Sequence, residues 1–122
     1  MQHVAIVSIP VSDQDRAKRF YLDVLGFELI ADTTFGDDRR WVQIAPSGSQ
    51  ASLTLVTWFD EMPAGSLRGL VIDTDDIDRD YRALLDRGAD VRGAPAQYAG
   101  GMFCFVRDPN GNVISLHQAG SR

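Results

Sequence analysis

The sequence holds a single cysteine, Cys104, so no disulfide can close within the chain and nothing points to an oxidising compartment. Long apolar runs are missing too: no stretch approaches the roughly 20 residues that a membrane span needs. The N-terminal residues lack the basic and apolar segments of a secretory signal. A cytoplasmic protein without a membrane partner is the expectation. Basic residues are scattered, 12 Lys and Arg against 17 Asp and Glu. They form no stripe interleaved with aromatics, which sets nucleic acid aside as a partner. The net charge of −5 tilts slightly toward neutral or cationic ligands, although solubility alone accounts for it. No G-x-S-x-G turn, phosphate-cradling glycine loop or nucleophile–base pairing is found. "PAGSLRG" and "YAGGM" are glycine-containing loops and nothing more.

What is present suffices for one domain, 1–122: 122 residues, 44% of them hydrophobic, can bury a core without staples. Val4–Val11 reads as a strand. In "SDQD", Ser12 and Asp15 form a capping box. Ala17, Phe20, Tyr21, Val24 and Leu25 follow at helical spacing, and Gly26 supplies a left-handed stop. Strands are expected at Phe27–Thr34, Arg40–Ala45 and Ala51–Trp58, joined by polar turns. The order then recurs. "LRGLVIDT" is a strand, and "DDID" caps a helix striped by Ile77, Tyr81, Leu84 and Leu85, with Gly88 as its stop. A weak strand at Ala89–Arg92 precedes "MFCFVRD", a Pro-Asn-Gly turn and "NVISLHQ". Helix stripes match at a spacing of 60 (Tyr21 and Tyr81) and the terminal hairpins at 63 (Ser52 and Ser115). Caps, stops and hairpins matching together indicate a duplicated unit. The expected fold is therefore α+β: two pseudo-symmetric βαβββ modules, 1–60 and 64–120, forming a curled mixed sheet around a cleft.

"IPVSDQDRAKRFYLDVLGFEL" and "FVRDPNGNVISL" resemble the two ends of the vicinal oxygen chelate superfamily, which includes glyoxalase I, extradiol dioxygenases and bleomycin-resistance proteins. The resemblance covers nearly the whole chain and implies paired modules forming a cleft, usually in a dimer. It also implies where a divalent metal would sit: a His on the first strand of each module and a Glu on its last. Those positions fall at Ile6, Gly69, Ser52 and Ser115. Ile and Gly offer no donor and a neutral hydroxyl is a poor one, so no metal and no cofactor are expected.

Strand alternation then selects the cleft residues. Val42 and Ile44 suit the helix side, which leaves Trp41 and Gln43 for the cleft. Adding 63 places Cys104 and Val106 in the cleft, with Phe103 and Phe105 in the core. Ser52, Thr54, Val56 and Trp58 share one face, as do Ser115 and His117. Ser8 and Tyr98 complete the candidate ligand-binding set. His117 is a weak catalytic candidate as a general base. His3 reads as surface, and Cys104 as a buried, inert thiol. Two histidines with a nearby Asp lack metal-ligand spacing. An aromatic-walled cleft with few hydroxyls suits a planar, aromatic or amphipathic small molecule. The leading expectation is a metal-independent binding protein of the bleomycin-resistance type, acting as a homodimer and sequestering a drug or toxic metabolite. One alternative is an enzyme of the glyoxalase, lyase, isomerase or dioxygenase type in the same cleft. Another is a regulatory module with a vestigial cleft.

Overall fold

The computed structural model describes residues 1–120. Its first module runs β1 (Ile6–Pro10), α1 (Gln14–Arg19), β2 (Glu28–Phe35), β3 (Arg39–Ala45) and β4 (Ser52–Val56). The N-cap of α1 is Asp13, whose carboxylate accepts from the backbone N–H of Arg16. Ser12, the expected cap, is engaged elsewhere. Its backbone N–H donates to Asn110 Oδ1 and its hydroxyl accepts from Asn110 Nδ2, 98 residues away. Beyond Arg19 the helix widens into a π-helical turn over Phe20–Val24, and Gly26, at φ 76°, ends it.

The second module repeats the plan with β5 (Leu70–Asp73), α2 (Ile77–Asp86), β6 (Asp90–Val91), β7 (Ala96–Tyr98), β8 (Gly101–Arg107) and β9 (Val113–Gln118). Asp76 caps α2 by accepting from the N–H of Arg79. The short β7 is an addition to the expected order. Its three residues are all exposed and carry no apolar alternation by which sequence could reveal it. Among the described residues no helix is long and apolar enough to cross a membrane.

The strands form two mixed sheets, ordered β1-β4-β3-β2 and β5-β9-β8-β6, with β7 also paired to β8. In each, the first and last strands of the module run parallel and the others antiparallel. The sheet pairings thus stay within each module. What the modules share is a core. Ile9, Tyr21, Ile44 and Leu55 of the first join Ile77, Leu84, Val106 and Ile114 of the second in one buried cluster. The helix-side faces of both sheets feed this cluster, so by alternation the other two faces are turned away from it.

A polar joint locks the modules. The Asp108 carboxylate is buried and accepts from Tyr21 Oη at 2.8 Å, from Asn112 Nδ2 at 2.7 Å, and from the backbone N–H groups of Asn110 and Asn112. Asn112 also donates to Pro10 O and accepts from the N–H of Leu67. Burial, with the Asp108 charge alongside, pushes the Tyr21 phenol well above its ordinary pKa, so the carboxylate is the charged partner. Gly65 lies against this joint: a Cβ there would stand 2.0 Å from Asn110 O.

The register corrects two expectations. Ser52 faces Ile6 across β1 and β4, whereas Ser115 faces Val71 across β5 and β9. The counterpart of Ile6 is therefore Val71, and Gly69 lies outside the strand. The second correction concerns β8. Thr54 pairs with Gln43, and His117, 63 positions after Thr54, pairs with Phe103, only 60 after Gln43. The hairpin of the second module is three residues longer. An odd offset reverses which face a strand residue occupies. Cys104 and Val106 accordingly lie in the core, 1% and 0% exposed. Phe103 and Phe105 occupy the opposite face.

Candidate ligand-binding faces

Each sheet presents to the outside the row of side chains that its helix does not cover. On the first sheet, Trp41 Nε1 donates to Gln43 Oε1 at 3.0 Å and Gln43 Nε2 donates to Ser52 Oγ at 2.7 Å. The Ser52 hydroxyl lies 3.3 Å from Ala5 O, to which it donates. Ser8 and Thr54 share a hydroxyl contact at 3.3 Å. These five expected residues are thus brought together, with Ser52 and Thr54 buried beneath the half-buried Trp41 and Gln43. Trp58 joins them through Phe35, which meets Trp58 at 5.2 Å and Trp41 at 5.9 Å, both edge-on. Phe59 adjoins Trp58, and the Arg39 guanidinium stands 5.8 Å from the Trp58 ring centroid. Phe35 was missed from sequence because its place depends on the β2–β3 register, which sets it opposite Arg39.

The second sheet carries its own aromatic wall. Phe103 and Phe105 lie nearly parallel, 6.3 Å apart, and Tyr98 meets both edge-on. The His117 ring is 4.7 Å from that of Phe103. Tyr98 is one of the expected cleft residues, whereas the 63-residue repeat spacing puts the two phenylalanines in the core, which the register reverses. Ser115 is buried opposite Phe105.

His117 has a partner at each ring nitrogen: Nδ1 is 2.7 Å from Asp73 Oδ1 and Nε2 is 2.7 Å from Gly100 O. Both partners only accept, so both nitrogens must donate, which is the imidazolium arrangement. The Gly100 carbonyl and then the Asp73 carboxylate raise its pKa above the ordinary value. Such a ring has no lone pair to offer as a general base. It pins the β7–β8 turn to β9 instead. Gly101 is needed there, because at φ 130° its Cβ would come within 2.3 Å of Gln118 O and 3.1 Å of His117 Nε2.

The donor set does not fit a divalent metal. Ile6 and Val71 carry no ligand atom, and Ser52 Oγ already accepts from Gln43. Among the described residues no three His, Cys, Asp or Glu side chains come together as an ion would need. Cys104 is buried, and burial pushes its thiol pKa up. His3 is exposed near the terminus. Two cavities, of about 400 and 360 Å³, are lined by other residues: one between the modules beside α2, the other under the 57–64 linker. The expected cleft residues thus form two open faces in the single chain.

A duplicated βαβββ unit with two such faces defines a class of proteins, and comparison with known sequences places the chain within it. The family model described as Glyoxalase/Bleomycin resistance protein/Dioxygenase superfamily matches residues 1–116. The chain belongs to this superfamily. It is similar to the crystal structure of TnmS3, an antibiotic binding protein from Streptomyces sp. CB03234, with 48% identity, 98% of both chains covered and a TM-score of 0.93. A glyoxalase/bleomycin resistance protein from the same source shares 49% identity over 95% of this chain and 100% of that one, at a TM-score of 0.86. YetH of Bacillus subtilis (strain 168) is 30% identical over 97% of this chain and 99% of its own length.

Proposed function

We propose that this protein binds a small aromatic or amphipathic molecule without a metal, sequestering a drug or toxic metabolite in the cytoplasm. One observation carries the reading. The positions that would hold a metal present Ile6, Val71, Ser52 and Ser115, and aromatic clusters flank them on both sheets. A surface of this kind gains affinity by burying rings and fixes orientation with a few polar groups. The 48% identity to TnmS3, described as an antibiotic binding protein, supports the same reading.

In this proposal Ser8, Trp41, Gln43, Ser52, Thr54 and Trp58 line one wall of the site. Tyr98, Ser115 and His117, joined by Phe103 and Phe105, line the other. The two walls point away from the common core, so a second copy closes the site by setting its second-module face against the first-module face of its partner. The result is an isologous dimer with two equivalent clefts. Native mass spectrometry of protein purified from its own host tests the proposal. It predicts a dimer that retains small molecules and carries no stoichiometric metal. A monomer, or one metal ion per chain, would contradict it.

A further inference from the structure

Among the described residues, one cation on the second face, Arg107, has a guanidinium nitrogen with no partner. Met102, Cys104 and Val106 of β8 pack toward the common core, so alternation sets Phe103, Phe105 and Arg107 on the ligand-binding face. Arg107 is half-buried, and its Nε is enclosed without any hydrogen-bond acceptor. A guanidinium offers five N–H groups in a planar fork; with Nε enclosed, the terminal nitrogens are the ones a bound acceptor would meet. The neighbouring carboxylate does not supply it. Asp90 stands opposite Arg107 across β6, yet its ion pair is with Arg92, at 3.4 Å. The backbone N–H of Arg92 donates to Phe105 O, and the Arg92 guanidinium is already paired with Asp90.

We propose that Arg107 recognises an anionic group on the ligand: the molecule bound by this face is a planar aromatic acid. Its ring lies on Phe105 and Phe103, and its carboxylate is received by the Arg107 fork. Residues two apart on one strand face are separated by roughly 6.6 Å, a span that a two-ring acid bridges. Carboxylate and guanidinium match as two parallel N–H···O bonds. This inference rests on the small-molecule reading above and narrows it to one ligand class, against the tilt toward cations that overall charge suggests.

The test titrates naphthalene-2-carboxylate and naphthalene-2-carboxamide, which differ in charge and hardly in shape, into the full-length protein by calorimetry. The wild type is expected to bind the carboxylate at least about tenfold more tightly. Arg107→Met should abolish that preference by weakening the carboxylate at least about tenfold more than the carboxamide, and Arg107→Lys should retain part of it. Melting temperature and sedimentation of each variant accompany the titrations. Equal affinities in the wild type would overturn the inference and leave small-molecule binding standing. A preference that survives Arg107→Met would overturn it as well. Loss of the preference only together with dimer dissociation would assign the guanidinium to the subunit interface and overturn it too. Binding of neither probe would refute the aromatic-ligand reading itself, and this inference with it.

Discussion

Trp58 and Phe20 are both large aromatics, but their surroundings separate their roles. Phe20 is 8% exposed and meets Tyr21 edge-on at 5.1 Å inside the common core. Removing its ring should cost about 3–5 kcal/mol through the cavity left behind. Trp58 is half-buried on the outer face among Phe35, Phe59 and Arg39. Trp58→Ala should therefore cost less, about 1–2 kcal/mol. It should weaken an aromatic ligand by about tenfold, the ~1.4 kcal/mol of a stacked contact. Melting temperature and affinity measured on the same two variants decide the matter. If Trp58→Ala melts as early as Phe20→Ala, Trp58 is a core residue. His117 gives a pH signature. With acceptors at both nitrogens, the folded protein holds this proton more tightly than the unfolded chain, in which histidine titrates near about pH 6.5. The stabilisation is then complete below about pH 6.5 and is lost as pH rises through the elevated folded value. The stability gap between wild type and His117→Gln should be full below about pH 6.5 and narrow as pH rises through the raised folded value. A gap independent of pH would remove the imidazolium.

The joint between the modules depends on Asp108 and Asn112. Tyr21→Phe removes one donor from a carboxylate that keeps three others, and should cost about 1.5–3 kcal/mol. Asn112→Ala takes a donor from the same carboxylate and also strands the Leu67 N–H, whereas Pro10 O keeps its bond from the Gly65 N–H; a buried group left unpaired costs about 1–3 kcal/mol beyond the lost bond. Urea unfolding should therefore rank Asn112→Ala below Tyr21→Phe; the reverse order would mean that water replaces the amide. This scale also shows what sequence could reveal. Apolar periodicity and the glycine stops located both helices, and "DPNGN" marked the last turn. Alternation placed Trp41, Gln43, Ser52 and Thr54 on one face, where they are hydrogen-bonded or in contact. The second face was misread because the hairpin before β9 is three residues longer than its counterpart. Loop length leaves no periodic signal, yet an odd change of it exchanges Cys104 for Phe103. Asp73 and Phe35 were invisible for a related reason, since each gains its role only from a strand register.

At the scale of the whole molecule, the two walls of the proposed cleft belong to different sheets that share only their inner faces. Ile6, Val71 and Tyr98 remain 41%, 47% and 51% exposed in the single chain, apolar surface that a second copy would cover. Sedimentation at micromolar concentration should give a dimer, and a monomer would leave the faces without a mechanism of closure. Metal independence is the property that separates this protein's proposed role from the metal-assisted chemistry found elsewhere in its superfamily, and calorimetry tests it most directly. Protein dialysed against EDTA is titrated with naphthalene-2-carboxylate, then titrated again after Zn²⁺, Ni²⁺ or Mn²⁺ is added. Saturable binding of one ligand per chain, with the same affinity before and after the metal, is the predicted result. Binding that begins only when a divalent ion is supplied would contradict it.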